Sequence, residues 1–183
     1  MSWTAKNAAL SQSEMEGNAT EVFYNLKDRG WSTEAIAATL GNMQAESLIN
    51  PGAWQNYIVG SGGGGGYGLV QWTPWTNFTN YADRWGVAHD DGNAQLRWLD
   101  EVTVSFGQWI PTTAYPMSFA NYKISTEACE YLSTVFLYNF ERPAEYNIVV
   151  RQQYARAWYD FISRLPASEG IPIWLLFKFN GGG

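Results

Sequence analysis

The residue whose type and position most directly indicate chemistry is Glu46. It lies three residues after Met43, which continues the apolar stripe of Ile36 and Leu40 at helical spacing. This spacing predicts a carboxyl group that leans toward the edge of a core near the end of a helix. Desolvation favours the protonated form of a carboxylic acid, the form that can donate a proton to a glycosidic oxygen. The same spacing also fits a solvated glutamate at a helix C-terminus, so spacing alone leaves both interpretations open.

Thiol and metal chemistry have little support in this sequence. Cys129 is the single cysteine and His89 the single histidine, which excludes an internal disulfide and a cysteine-rich zinc site. A nucleophile pair of Cys129 and His89 would need a coincidence of fold, and a buried structural cysteine is the favoured interpretation. We therefore expect no bound metal and no cofactor.

The glycine-rich segment 60–65 formally matches the GxGxxG pattern of dinucleotide-binding loops. No βαβ unit surrounds it, and no Lys-Ser/Thr pair follows it as in a phosphate-binding loop. We interpret it as a loop beside a cleft rather than as a nucleotide site.

Charge and hydropathy exclude two further classes of partner. The net charge of −6 leaves no basic surface to neutralise phosphates, so nucleic acid is not expected as a partner. No run of about twenty apolar residues is present, so no membrane span is expected. The chain is rich in aromatic residues, with 10 Trp and 11 Tyr. Core packing is the first interpretation for most of the tryptophans, and stacking on sugar rings the second.

The periodicity of apolar residues predicts a predominantly helical domain over residues 1–166. A first helix begins at Ser11, with a capping box to Glu14, and stops at Gly30; a second begins near Ser32 and ends before Pro51. Between residues 54 and 72 the helical period disappears, which predicts a glycine-rich loop with small strands. Residues 167–183 are read as an apolar tail with a Gly-rich end, a possible linker to a further domain. Further helices are expected within 75–85, 96–102, 125–143 and 150–166.

Five separated segments carry a recognisable pattern: residues 41–47 (GNMQAES), 49–52 (INPG), 54–55 (WQ), 66–74 (GYGLVQWTP) and 140–143 (FERP). These segments resemble the phage tail-tip lysozyme family. Together they place the resemblance over roughly residues 14–164, in order along the chain. The resemblance implies an α+β, predominantly α, lysozyme-like fold with a helical lobe and a small glycine-rich sheet region.

The resemblance also implies roles for individual residues. Glu46 becomes the general acid, and Gln71 reaches the sugar cleft to bind substrate or position a water. Core packing remains at least as good an account of each tryptophan. The remaining substrate-binding candidates are Ser47, Trp54, Tyr67 and Trp72.

A glycosidase usually adds a second carboxylate, and Glu141 is the leading candidate because it lies in one of the resembling segments. Its neighbour Arg142 offers a structural explanation, an ion pair, which we favour. Without a second carboxylate the oxocarbenium intermediate could be captured by the substrate itself, as in lytic transglycosylases. Hydrolysis and transglycosylation are both left open.

By resemblance, the chain is a muramidase-type peptidoglycan hydrolase that cuts the MurNAc–GlcNAc bond of the bacterial cell wall. Its expected location is the virion, at the phage tail tip, where wall cutting would help DNA enter the host. The expected partners are the peptidoglycan glycan strand and other phage tail proteins. The alternative is a non-catalytic glycan-binding or tail structural module, in which Glu46 only hydrogen-bonds the glycan.

Overall fold

Helices make up most of the computed structural model, which describes residues 2–60, 63–143 and 146–166. This confirms the predominantly helical prediction. The proposed tail or linker at 167–183 lies outside the described residues. The seven α-helices of the described part are α1 (Gln12–Asp28), α2 (Thr33–Ser47), α3 (Thr76–Trp85), α4 (Gly92–Glu101), α5 (Phe119–Ile124), α6 (Cys129–Phe136) and α7 (Ile148–Ile162). A short 3-10 helix covers Gln55–Tyr57, and a π-helix covers Leu137–Glu141.

The first two helices begin where local sequence places them. Ser11 caps α1 in a reciprocal box with Glu14, and Gly30 follows its C-terminus with a φ of 85°. Ser32 caps α2 by accepting a hydrogen bond of 3.0 Å from the backbone N of Ala35. These capping interactions satisfy backbone donors that the helices cannot pair internally, so they define the helix ends.

Helix α2 lies at the centre of the fold, packed by α1, α6 and α7. Every residue from Ala35 to Met43 is buried, because the helix has neighbours on all sides. Gly41 permits the closest of these contacts. A Cβ placed on Gly41 would lie 2.6 Å from the backbone N of Ala155 and 2.8 Å from the backbone O of Arg151. The backbone of α7 therefore rests directly on α2 at this point.

The small glycine-rich sheet is the part of the fold prediction that is wrong for the described residues. Among residues 54–60 and 63–72, which the structure describes, the chain forms only two isolated antiparallel bridges, which pair Tyr67 with Trp54 and with Trp72. A ladder needs successive extended residues, whereas this segment turns repeatedly through the left-handed region. The described residues with positive φ in this segment are Asn56, Tyr57, Gly60, Gly63, Gly68 and Gln71.

Buried side-chain hydrogen bonds hold this non-helical segment in place. The Oε1 of Gln95, on α4, accepts a 2.8 Å hydrogen bond from the backbone N of Leu69. The Nε2 of the same side chain donates to the carbonyl oxygens of Pro51 and His89, each at 2.8 Å. One buried amide thus satisfies backbone groups from three segments, which substitutes for the missing ladder.

The tryptophans serve mainly to fill the core. Five of them are buried, and four more are partly buried and pack against the core; the tenth, Trp174, lies outside the described residues. This matches the interpretation of most tryptophans as core residues. No helix in the described ranges is long and apolar enough to cross a membrane.

The contact at Gly41 predicts a stability change that can be measured. Gly41→Ala should lower the free energy of unfolding by about 1–3 kcal/mol, because the added methyl group meets backbone atoms that cannot rotate away. Gly17→Ala, in the exposed part of α1 with no atom near the new Cβ, should raise it by about 0.5–1 kcal/mol. Chemical denaturation of both variants checks the prediction. Equal effects of the two substitutions would contradict the close approach of α2 and α7.

Candidate active site

A cleft of about 970 Å³ opens where the end of α2 faces the non-helical segment and the π-helix. Six of the seven predicted site residues line it: Glu46, Ser47, Trp54, Gln71, Trp72 and Glu141. Tyr67 does not line it. Within the described part of the chain, no group of three or more His, Cys, Asp or Glu side chains is placed to hold a metal ion. Two carboxyl groups and several polar side chains are therefore what the cleft offers to a ligand.

Glu46 lies in the last turn of α2, with 20% of its side chain exposed. The helix ends one residue later at Ser47, and both its C-cap Leu48 and the following Ile49 have a left-handed backbone, with φ of 59° and 57°. A β-branched residue rarely adopts this conformation, so the surrounding core must hold Ile49 there. The sharp turn directs the chain away and leaves the carboxyl group of Glu46 open to the cleft.

The carboxyl group of Glu46 is held from behind by Arg151 on α7. The Nη2 of Arg151 donates to Oε1 of Glu46 at 2.5 Å, and its Nη1 donates to Oδ1 of Asn42 at 3.0 Å. The side chain of Arg151 is only 7% exposed. Asn42 is itself buried, and its Nδ2 donates to the backbone O of Ser133 at 3.1 Å. A chain of polar contacts thus runs from α6 through α2 and α7 to the cleft.

Sequence reasoning did not find Arg151 or Asn42 as site residues. Arg151 shares one helical stripe with Ala155, Trp158 and Ile162, and all four are buried. An arginine in an apolar stripe needs a buried partner, since an unpaired charge in a core is costly. That mismatch was a signal available in the sequence, although it did not identify the partner.

Glu141 is the last residue of the π-helix Leu137–Glu141, a type of helix that often occurs at functional sites. Although the residue as a whole is partly exposed, its Oε1 is buried and has no hydrogen-bond partner. Burial, reinforced by the charge of Glu46, raises the pKa of Glu141 well above its usual value, and the charges of Arg151 and Arg142 only partly oppose this. The surroundings of Glu141 therefore favour its protonated form.

The ion pair between Glu141 and Arg142, which the sequence favoured, does not form. The Nη1 of Arg142 instead donates to the backbone oxygens of Gln108, at 2.7 Å, and Asn139. Arg142 has a left-handed backbone, with a φ of 47°, as the C-terminal cap of the π-helix. This turn directs its guanidinium to carbonyl groups, and Glu141 keeps an unpaired buried oxygen.

Gln71 faces the cleft with most of its hydrogen-bonding capacity already used. Its Nε2 donates to the carbonyl oxygens of Ala53, at 3.0 Å, and Gly68, at 3.1 Å. A Cβ on Gly66 would lie 2.8 Å from the Oε1 of Gln71, so only glycine leaves room for this side chain. Since both amide hydrogens are taken, Gln71 can present only its carbonyl oxygen to a ligand.

The remaining predicted wall residues fall into two groups. Ser47 is buried, and its Oγ contacts the carbonyl oxygens of Met43 and Leu69 at 3.1 and 2.8 Å, so it anchors the non-helical segment. Tyr67 and Trp72 are each 3% exposed and belong to the core. Trp54 is the partly exposed aromatic side chain at the cleft. Sequence reasoning missed Tyr57, a cleft-lining tyrosine that is 46% exposed.

With this geometry in place, comparison with known proteins identifies the family. The family model described as phage tail lysozyme matches residues 17–162, a range that contains Glu46, Gln71 and Glu141. The chain belongs to the phage tail lysozyme family. It is also 42% identical over 169 residues to Morphogenesis protein 1 of Bacillus phage B103. That alignment covers 92% of this chain and 45% of the relative, so the chain spans about half the length of that protein.

Membership of the phage tail lysozyme family makes this a phage-associated, lysozyme-like protein. The cysteine and histidine lie apart from its cleft. Cys129 is buried, which raises its pKa to about 12, and its Sγ contacts the Oε2 of Glu130 at 3.3 Å. His89 pairs with Asp83 at 2.8 Å. Each side chain has its own partner, and neither lines the cleft.

The raised pKa of Glu141 predicts a pH-dependent stability. The native protein holds the proton of Glu141 more tightly than the unfolded chain does. The stabilisation that this group contributes is therefore fully present below about pH 4.3, and it is lost as the pH rises through the raised pKa. Glu141→Gln should therefore be more stable than the wild type at neutral pH, with the difference shrinking toward pH 4. Urea denaturation at several pH values measures this difference.

Glu127→Gln is the control for that experiment, since it removes one negative charge from an exposed position. Parallel stability curves for the wild type and Glu141→Gln across the pH range would show that Glu141 is not buried as described.

Proposed function

We propose that this domain cleaves the glycan strand of peptidoglycan at the MurNAc–GlcNAc bond, as a muramidase-type glycoside hydrolase with Glu46 as general acid. One observation carries the proposal. Glu46 and Glu141, which are far apart in sequence, face one cleft. Glu46 is partly exposed and bonded to a buried cation, whereas burial and the charge of Glu46 raise the pKa of Glu141. A carboxyl pair of this kind is the recurring machinery of glycosidases.

The two carboxyl groups interact, so the pair rather than either residue carries the proton. Glu46 is assigned as the donor because its carboxyl group is open to the cleft, whereas one oxygen of Glu141 is sealed from solvent. Glu46 donates its proton to the glycosidic oxygen as the bond from that oxygen to C1 breaks. The leaving sugar departs as an alcohol, and the negative charge left on the pair stabilises the cation at C1.

Two fates of the cation fit this arrangement. In hydrolysis, water adds its hydroxide to C1 and returns its proton to the carboxylate of Glu46. In transglycosylation, a hydroxyl group of the same sugar attacks C1 in place of water, and its proton passes to the carboxylate of Glu46. Both restore the starting protonation of the enzyme, and they differ in the end group of the product.

The walls of the cleft fit a sugar polymer. Trp54 and Tyr57 offer aromatic faces for stacking on sugar rings, and Gln71 offers a carbonyl oxygen to hydroxyl groups. Ser47 and Trp72 support these walls from within the protein. The proposal therefore keeps Trp54 and Gln71 as substrate-binding residues and treats Ser47, Tyr67 and Trp72 as supporting residues.

The same proposal places the protein in the virion, at the tip of a phage tail, acting on the wall of a Gram-positive host. The family description and the name of the relative from Bacillus phage B103 support this location. The net charge of −6 gives the domain no electrostatic attraction to an anionic wall. Attachment to other tail proteins would supply the high local concentration of the domain at the wall that electrostatic attraction does not provide.

Glu46→Gln tests the proposal directly. Removing the proton donor while keeping the shape of the side chain should lower the rate of peptidoglycan solubilisation by about 10²–10⁴-fold. The measurement is turbidity loss of purified Gram-positive peptidoglycan, with mass spectrometry of the soluble fragments. Reducing ends made only by the wild type indicate a muramidase, and anhydro ends indicate a transglycosylase.

The same experiment decides the alternative, a non-catalytic glycan-binding or tail structural module. If the wild type binds peptidoglycan without releasing fragments, the glycosidase proposal is wrong and the binding module replaces it. Glu34→Gln is a suitable control, since Glu34 lies in the first turn of the same helix and outside the cleft lining.

Trp54→Leu tests the aromatic wall. The loss of a stacking surface should raise the KM for soluble glycan fragments severalfold and leave kcat less affected, because stacking binds the substrate away from the reacting bond. Trp72→Leu is the comparison, since Trp72 stacks on Phe78 inside the core with a centroid distance of 4.9 Å. It should lower stability more than Trp54→Leu does. Unchanged KM in Trp54→Leu would remove this residue from the binding surface.

A further inference from the structure

One buried cation serves two carboxyl groups at the cleft. Arg151 forms the 2.5 Å ion pair with Glu46, and its charge also acts on Glu141. The side chain of Arg151 is 7% exposed, and its Nε is buried without a hydrogen-bond partner. A guanidinium that keeps one donor unsatisfied inside a core is costly, so packing alone does not account for it.

We propose that Arg151 is the positioning residue of the carboxyl pair: it fixes the direction of the Glu46 carboxyl group, and it supplies the positive charge bonded to Glu46 while the pair shares one proton. The part of this inference that concerns catalysis rests on the proposed glycosidase function. The part that concerns the shared proton does not.

The geometry supports the positioning role first. Two nitrogens of the planar guanidinium are engaged at once, Nη1 by Asn42 and Nη2 by Glu46, so the plane has little freedom to rotate. Asn42 is in turn held by Ser133 on α6. Arg151 lies on the segment of α7 that contacts α2 at Gly41, so the base of its side chain is fixed by backbone packing.

The charges around the pair support the second role. The π-helix and its cap present Glu141 and Arg142, α7 presents Arg151, and the 3-10 helix places the phenol of Tyr57 in the same lining. The α6 residue in this polar chain is the uncharged Ser133, and among the described residues α1 contributes none to the cleft lining. Since Arg142 is already bound to carbonyl groups, Arg151 is the cation that directly contacts Glu46.

The positive charge of Arg151 and the negative charge of Glu141 should have opposite effects on the pH at which the pair releases its proton. A neighbouring cation favours the ionised form of a carboxyl group, and a neighbouring carboxylate disfavours it. Removing the charge of Arg151 should therefore raise the pH at which the pair releases its proton. Replacing Glu141 by an amide should lower it. A general acid must be protonated, so the high-pH limb of the activity profile should follow the same directions.

The experiment measures kcat/KM for peptidoglycan fragments against pH in Arg151→Met, Arg151→Lys and Glu141→Gln. Arg151→Met should move the high-pH limb upward, and Glu141→Gln should move it downward, each by about one pH unit or more. At the wild-type optimum, Arg151→Met should lose about 10²-fold in kcat, because Glu46 is no longer held in place. Arg151→Lys keeps the positive charge but lacks the planar guanidinium that engages Asn42 and Glu46 at once. Its pH profile should therefore match that of the wild type, while its kcat remains reduced.

Arg156→Met is the matched control. It removes the same charge from the same helix at an exposed position, where Arg156 pairs with Asp160 at 3.2 Å. Its pH profile should match that of the wild type. A profile of Arg151→Met that coincides with the wild type and Arg156→Met would overturn the shared-proton role. Full kcat in both Arg151 variants would overturn the positioning role.

A second measurement separates this inference from the proposed function. Protein labelled with ¹³C at glutamate Cδ can be titrated by NMR without substrate, with the signals of the pair assigned from Glu46→Gln and Glu141→Gln. The pair should release its proton at higher pH in Arg151→Met than in Arg151→Lys, and an unchanged titration would overturn the inference. If Arg151→Met does not fold, Arg151→Lys, which should titrate like the wild type, can still be compared with Glu141→Gln, which should release its proton at lower pH. Absence of wild-type activity, combined with the expected NMR shift, would reject the glycosidase proposal and retain the shared proton.

Discussion

The structure depends on the direct backbone contact between α2 and α7. Gly41 has no side chain at the point where the two helices meet, so the backbone of α7 at Arg151 and Ala155 lies against it. This contact determines how far the Arg151 side chain reaches, and hence where its guanidinium meets Glu46, one helical turn or so beyond Gly41 along α2. Core packing and site geometry are therefore two consequences of one close approach.

The cleft is built from polar contacts in a region that has little regular structure. Ser47 connects the end of α2 to Leu69, and Gln95 connects α4 to three separate backbone segments. These side chains are buried and supply hydrogen bonds that a sheet would otherwise supply. The cleft wall can thus turn through several left-handed residues and still be held in a defined position. Its local strain, at Ile49 above all, is maintained by the surrounding core.

The electrostatics of the pair follow from unequal surroundings. Glu46 has a bonded cation and partial exposure, while Glu141 has a sealed oxygen and a neighbouring negative charge. The sequence favoured an ion pair between Glu141 and its neighbour Arg142, because adjacent opposite charges are a common arrangement. In the fold, the left-handed turn at Arg142 directs the guanidinium to carbonyl groups and leaves Glu141 to interact with Glu46.

What the sequence determined by itself is largely local. The capping of α1 and α2, the helical periods, the position of Glu46 near a helix end and the core role of most tryptophans follow from residues within a few positions of one another. The family was also evident, since its motifs are short continuous segments. The absence of strands among the described residues between Trp54 and Trp72 was not evident, because alternating turns and bridges share the residue types of a glycine-rich sheet. Only the tertiary structure brought Arg151 to Glu46, across 105 positions, and placed Glu141 beside them, because packing of distant helices, and not local periodicity, decides which buried charges meet.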